Sequence, residues 1–231
     1  MKKYVVILAS GNGTRMQSSL PKQYILLKNR PLLFYTIERI YNFDDNYNII
    51  VVINKEHENL FKELRQKYSL SVPIKVVFGG NERYYSVKNA LNGIEDSNSL
   101  VAIHDGVRIF PTRQMFQQGF ITAERHGNAI CCIKVSDSIR IENEKSNYAM
   151  DRNKVMLVQT PQFFITSKLK QAYSQDYDPR FTDDATIYET LGEQINIVEG
   201  SRENIKITYP SDLLFAEQIL MQGDNVNFAT K

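Results

Sequence analysis

The sequence predicts an α/β protein: a mostly parallel β-sheet carrying helices on both faces. Two observations predict it. Through the first half of the chain, short apolar runs alternate with stretches whose apolar residues recur at helical spacing, the βαβα rhythm of parallel sheets. The runs are also apolar at successive positions, as in Ile49-Ile50-Val51-Val52-Ile53, which suits strands covered from both sides.

Strands are predicted at Tyr4–Ala9, Asn48–Ile53, Ile74–Phe78 and Leu100–His104. Between them, Leu33, Ile37, Ile40 and Tyr41 give a helix over Pro31–Phe43, with Pro31 suited to its first turn. Leu60, Phe61, Leu64 and Tyr68 repeat the spacing over Glu56–Tyr68, and Val87, Leu91 and Ile94 repeat it over Tyr85–Ile94. From about Ala129 the rhythm changes. Short strands are predicted at Ala129–Val135, Ser138–Ile141 and Val155–Gln159, while Glu142–Asp151 is polar and carries no period. The stretch from about 136 to 158 therefore reads as a protruding β-arm, too small to build its own core, within a single domain over 1–231. Thr182-Asp183-Asp184 reads as a helix start, a hydroxyl cap followed by acid in the first turn, with the helix running to Leu191 and stopping at Gly192. Ile195–Val198 and Ile205–Thr208 read as late strands, the second holding Lys206. A last helix starts at Ser211-Asp212 and runs toward Leu220; from Gln222 to Lys231 the chain is polar and reads as frayed.

Bulk properties agree with an ordinary globule. The 231 residues suffice for one sizeable domain, and 42% hydrophobic with 23% charged residues is a globular composition. A formal net charge of +2 gives no footing for nucleic acid or membrane binding, and no apolar run is long enough to span a bilayer. The run from Tyr4 to Leu8 is too brief for a signal-peptide core. The two cysteines, Cys131 and Cys132, are adjacent, so on a strand they face opposite ways and do not bridge. They read as small buried hydrophobes in a reducing, cytoplasmic setting.

The chemistry-bearing residues cluster at strand ends, where open parallel sheets bind ligands. Ala9-Ser10-Gly11-Asn12-Gly13-Thr14-Arg15 leaves the first strand, followed by Pro21-Lys22-Gln23-Tyr24. A small-residue loop there lets backbone N–H groups approach a polyphosphate, and Arg15 and Lys22 bring fixed positive charge to it. The loop is not a Walker A motif, since no Gly-Lys-Ser/Thr ends it, and it lacks the third glycine of the dinucleotide fingerprint. Gly79-Gly80-Asn81-Glu82-Arg83 with Ser86, His104-Asp105-Gly106-Val107-Arg108 and Thr160-Pro161-Gln162 follow further strands. Glu203-Asn204-Ile205-Lys206-Ile207-Thr208 comes near the C-terminus. His104 reads as a buried strand-end residue, and none of the three histidines sits in a triad-like setting.

In order and spacing, these segments together with Asp151-Arg152 and Thr182-Asp183-Asp184-Ala185 resemble the 2-C-methyl-D-erythritol 4-phosphate cytidylyltransferase family, including its ribitol 5-phosphate relatives. The resemblance runs from Val5 to about Leu220. It implies a Rossmann-like fold of the nucleotide-diphospho-sugar transferase type and a Mg²⁺-dependent reaction between CTP and a small polyol phosphate. It implies that Arg15 and Lys22 stabilise charge on the α-phosphate, with Arg152 and Lys206 positioning the acceptor phosphate and completing the catalytic set. Ala9, Ser10, Gly11, Asn12, Gly13, Gly80, Asn81, Arg83, Ser86, Asp105 and Gly106 are implied for the nucleotide, and Asp105 also for the metal. Arg108, Ser138, Thr160 and Thr182 are implied as further acceptor contacts. In the family the β-arm crosses to a second subunit, which implies a homodimer in which Ser138 and Arg152 serve the neighbour's site.

The chain departs from the pattern at Ser10, where alanine or glycine is usual, at Ile109, where proline usually follows the arginine, and at Ser138, which replaces threonine. Gly106-Val107 falls between the erythritol-phosphate and ribitol-phosphate patterns. Methylerythritol phosphate is the expected acceptor and ribitol 5-phosphate the alternative. A nucleotide-binding protein without activity is a third reading, opposed by Arg15, Lys22, Asp105 and Lys206 occurring together. A dinucleotide-dependent oxidoreductase is weaker still.

Overall fold

The computed structural model describes residues 1–11, 13–16, 18 and 20–225. Its first half runs β1 (Lys2–Ala9), β2 (Leu26–Leu27), β3 (Arg30–Pro31), α1 (Leu32–Tyr41), β4 (Asn48–Ile53), α2 (Glu58–Lys67), β5 (Lys75–Phe78), α3 (Arg83–Asn92) and β6 (Ser99–Asp105). Its second half runs α4 (Arg113–His126), β7 (Asn128–Lys134), β8 (Ile139–Glu142), β9 (Asn147–Met150), β10 (Met156–Ile165), α5 (Thr166–Ala172), α6 (Asp184–Glu189), β11 (Ile197–Glu199) and α7 (Pro210–Asn225).

Seven strands form one sheet in the order β11-β7-β10-β6-β1-β4-β5. All neighbours are parallel except β10, which runs antiparallel to both β6 and β7. Strand alternation sorts the core into two layers. Val5, Ile7, Ile49, Val51 and Phe163 pack under α1, α2 and α4, while Val6, Ile50, Val52 and Phe164 pack under α3, α5 and α6. Cys131 joins the first layer and Cys132 the second, both free and buried, so they face opposite ways as adjacent strand residues must. A third cluster seats Ala216 of α7 on Leu32, Ile109, Phe110 and Ile207. That contact folds the C-terminal segment back toward the strand ends.

Several sequence expectations are corrected. The polar stretch Glu142–Asp151 contains β9, which pairs with β8 in a two-stranded sheet of its own; Asn147–Met150 is exposed along its length and so shows no burial period. The strand expected to end at Gln159 continues to Ile165, with a register shift between Val158 and Gln162 that interrupts the pattern. The expectation passed over α4 and α5; α4 starts on a Thr112 hydroxyl that accepts the Met115 N–H. The cap of α6 is Asp183, not Thr182: its carboxylate accepts the Thr186 N–H while the Thr186 hydroxyl accepts the Asp183 N–H, a reciprocal capping box. The segment holding Lys206 joins no sheet. The last helix continues past Leu220 to Asn225.

Candidate active site

Parallel pairing puts the carboxyl ends of β1, β4, β5 and β6 at one edge, with Leu8 opposite Asp105 and Ala9 opposite Ile53. A cavity of about 860 Å³ opens there, within the range of small-molecule sites. Each of the four strands delivers residues to its wall: Ser10 and Gly11, Lys55 and Glu56, Gly80 and Asn81, Asp105 and Val107. Lys22 and Lys206 close it from the N-terminal loop and the C-terminal segment.

The loop after β1 is held from behind. Gln23, almost wholly buried, donates its amide N–H groups to the carbonyls of Ala9 (2.7 Å) and Gly11 (3.1 Å). Gly13 has φ +65°, and a Cβ there would lie 2.7 Å from Cγ of Lys22, so both its conformation and its neighbour require glycine. Across the cavity Gly79 is equally confined, since a Cβ would stand 2.5 Å from Cβ of Ser10. The Ser10 and Ser86 hydroxyls meet at 3.0 Å, and the Gly80 N–H donates to Ser86 Oγ at 3.2 Å.

Asp105 is the electrostatic centre. Its Oδ2 lies 2.9 Å from Lys206 Nζ and 3.7 Å from Arg108 Nε. Burial by itself pushes the carboxyl up, but Lys206, Arg83 and Arg108 together hold it well below the usual carboxylate range, so it stays ionised. Lys22 sits on the short turn Lys22–Tyr24 and donates to the Ile207 carbonyl at 3.3 Å. Burial, with the Lys206 charge adding to it, brings its ammonium down to about 8 against the opposing pull of Asp105. A desolvated lysine beside a second cation is stabilised by an arriving polyphosphate.

Supporting residues fix this centre from below. The Asp105 N–H donates to Thr160 Oγ1 (3.0 Å), which contacts His104 Nδ1 (3.2 Å), and His104 Nε2 lies 2.9 Å from the Arg108 carbonyl. A carbonyl only accepts, so Nε2 carries the proton and Nδ1 accepts from the Thr160 hydroxyl. Burial depresses His104 to about 4 and keeps it neutral. Arg108 Nη1 donates to the Asn204 carbonyl, and Asn204 Nδ2 in turn donates to the Thr160 carbonyl (2.8 Å). This mesh holds the Lys206 segment at the sheet edge with side chains in place of a β-ladder. At the rim, Arg83 forms a two-pronged ion pair with the wholly buried Asp184, which also accepts the Tyr173 hydroxyl.

Of the residues expected from sequence, Ala9, Ser10, Gly11, Lys22, Gly80, Asn81, Arg83, Ser86, Asp105 and Lys206 line this cavity. Arg15 is exposed beside it, its guanidinium 5.9 Å from the Tyr209 ring and its charge felt at Lys22. Gly106 lies underneath, its N–H on the Leu8 carbonyl and its own carbonyl accepting the Thr36 hydroxyl. Thr160 and Arg108 act at the second remove, through Asp105. Arg152 and Ser138 are exposed on the β8–β9 side, Arg152 donating to the Ser136 carbonyl. Thr182 lines a separate concavity of about 800 Å³ with Asp183 and Thr186. Asn12 lies outside the described residues. Sequence reading passed over Lys55 and Glu56, although they follow β4 as the other clusters follow their strands, and it named Gln23 in the Pro21-Lys22-Gln23-Tyr24 segment without its bracing role.

Among the described residues no group of three His, Cys, Asp or Glu gathers for a metal. Magnesium is commonly held by one or two carboxylates plus substrate phosphates. Asp105, an ionised oxygen donor at the cavity wall, fits that mode.

An open α/β sheet whose strand ends bring two lysines and an ionised aspartate into one nucleotide-sized cavity defines the class, a nucleotidyltransferase. The family model described as 2-C-methyl-D-erythritol 4-phosphate cytidylyltransferase (IspD) matches residues 3–222, and the chain belongs to that family. It is 39% identical over 220 residues to the 2-C-methyl-D-erythritol 4-phosphate cytidylyltransferase of Bacteroides thetaiotaomicron, covering 95% of this chain and 100% of the relative. It is 40% identical to the enzyme of that name from Porphyromonas gingivalis, with coverages of 95% and 98%. The crystal structure of 4-diphosphocytidyl-2C-methyl-D-erythritol synthase from Anaerococcus prevotii superposes with a TM-score of 0.80 at 28% identity, covering 95% of this chain and 96% of that one. Among the described residues no helix is long and apolar enough to cross a membrane.

Proposed function

We propose that this chain transfers CMP from CTP to 2-C-methyl-D-erythritol 4-phosphate and releases pyrophosphate. The observation that carries the reading is the meeting of Lys22, Asp105 and Lys206, from the beginning, middle and end of the chain, on the wall of one cavity. The relatives' names supply the acceptor.

The acceptor phosphate is its own nucleophile, because a phosphomonoester is largely ionised above its second pKa of about 6. No general base is required, which agrees with a neutral, fully committed His104. What the step requires is in-line positioning and fixed positive charge at the α-phosphorus, worth several orders of magnitude in rate. Lys22 and Arg15 serve that charge, and Lys206, pinned by Asp105, orients the incoming phosphate. Magnesium held by Asp105 and the triphosphate would neutralise charge on the departing pyrophosphate. Arg152 and Ser138 complete the acceptor side from a second copy of the chain, through the ribbon at about 136–158.

Purified protein with CTP and Mg²⁺ is assayed for pyrophosphate release with methylerythritol 4-phosphate, ribitol 5-phosphate and no acceptor. The expected result is release with methylerythritol 4-phosphate alone. Release with ribitol 5-phosphate instead would move the assignment to that acceptor, and release with neither would overturn it.

A further inference from the structure

Lys22, Asp105 and Lys206 gather at the β1–β6 side, whereas at the β1–β5 side, whose lining also includes Lys55, Glu56, Glu82 and Arg83, the uncharged residues Ser10, Gly79, Gly80 and Ser86 come together as a neutral wall. A nucleotide whose phosphates meet the lysines turns its base toward the neutral wall, and two hydroxyls meet there.

A hydroxyl has one proton to donate and two lone pairs to accept with. Ser86, 2% exposed at the start of α3, accepts the Gly80 N–H at 3.2 Å. Its own proton has the Glu82 carbonyl 3.2 Å away, one helical turn back, and the Gly80 carbonyl at 3.5 Å. Either hydroxyl could donate across the 3.0 Å contact between the two serines, and where the Ser86 proton goes to a carbonyl the contact is completed by Ser10 donating to Ser86. Ser10 then has no proton left. The close approach of Gly79 fixes its position, so its oxygen meets the cavity as an acceptor only.

We propose that Ser10 is a specificity-determining residue that reads the exocyclic 4-amino group of cytosine. Cytosine presents an N–H donor at that position, and uracil a carbonyl acceptor. An acceptor-only oxygen pairs with the first and opposes the second, and a polar group built for one partner discriminates strongly against the other. The inference rests on the CTP reading above and adds to it the side chain that distinguishes the two pyrimidines.

The test compares wild type, Ser10→Ala and Ser10→Gly with CTP, UTP and the ribonucleoside triphosphate of pyrimidin-2-one, which lacks the 4-amino group. Turnover is measured with methylerythritol 4-phosphate, and binding of each nucleotide by calorimetry. Losing one neutral hydrogen bond predicts an about five- to tenfold fall in kcat/KM for CTP, carried by KM. The pyrimidinone nucleotide should be unaffected, and the CTP-to-UTP preference should contract. Ser86→Ala, which releases the Ser10 proton, should raise the use of UTP. An equal loss on all three nucleotides would reduce Ser10 to a structural role, and an unchanged CTP-to-UTP ratio in both Ser10 variants would overturn the inference while leaving cytidylyl transfer intact. Wild type that neither binds nor turns over CTP would overturn both.

Discussion

The sheet edge and the β8–β9 ribbon differ in how much of their polar chemistry is finished within one chain. At the edge, Lys206 meets Asp105, Arg108 meets the Asn204 carbonyl, Arg83 meets Asp184 and Lys22 meets the Ile207 carbonyl. On the ribbon side, Arg152 is exposed and reaches the Ser136 carbonyl, and Arg140 binds Asn147 on the paired strand. The edge has its dipoles and charges oriented before any ligand arrives, the condition under which electrostatics accelerate a reaction most. The ribbon offers its charge from exposed side chains. A residue there gains a fixed position only against another surface, which on the proposed reading is the partner's cavity.

The largest expected effect comes from the edge. Lys22→Ala should lower kcat by about a thousandfold with little change in unfolding midpoint, since it removes a partly desolvated ammonium at the cost of one 3.3 Å hydrogen bond to the Ile207 carbonyl; turnover within tenfold of wild type would remove Lys22 from the chemistry. Arg83→Ala should cost about 3 kcal/mol in urea denaturation, because it strands the carboxylate of wholly buried Asp184. A loss below about 1 kcal/mol would mean that Tyr173 and water satisfy Asp184 unaided.

Acid sensitivity sharpens the same contrast. The folded-state value of His104, about 4, lies below its ordinary 6.5, so the group costs nothing above pH 6.5. As pH falls from 6.5 toward 4 the unfolded chain takes up a proton the folded chain resists, and about 3 kcal/mol of stability is lost. Denaturation at pH 7 and pH 4.5 should show most of that drop in wild type and little of it in His104→Gln; equal drops would place the acid lability elsewhere. The smallest effect belongs to the ribbon. Arg152→Ala should raise KM for the acceptor about tenfold, the scale of one lost charge-assisted hydrogen bond, with KM for CTP and stability unchanged.

Much of the edge was legible in the sequence because parallel strands end in polar, small-residue clusters, and Ala9 to Gly11, Gly80, Asn81, Arg83, Ser86 and Asp105 line the cavity at those strand ends. Lys206 was expected on a strand because Ile205 and Ile207 alternate with it, but a mesh through Asn204 and Gln159 replaces the ladder, and side-chain networks leave no period. The brace Gln23 is a lone polar residue whose partners, the Ala9 and Gly11 carbonyls, exist only after folding. Strand β9 was missed because an exposed ribbon has no buried face to impose alternation. The α6 cap was placed one residue early, since Thr182 and Asp183 both suit a cap and only the reciprocal bond to Thr186 chooses between them.

The division of labour between edge and ribbon is tested most directly by mixing two disabled proteins. Lys22→Ala loses the edge and keeps the ribbon, and Arg152→Ala does the reverse; the pair is unfolded together, refolded so that subunits exchange, and assayed at an acceptor concentration well below the KM of Arg152→Ala. The account predicts that mixed dimers regain activity above either parent, because one of their two sites then combines an intact Lys22 with the neighbour's intact Arg152. Activity that never exceeds the average of the two parents would show that edge and ribbon of one chain serve the same site, and would contradict it.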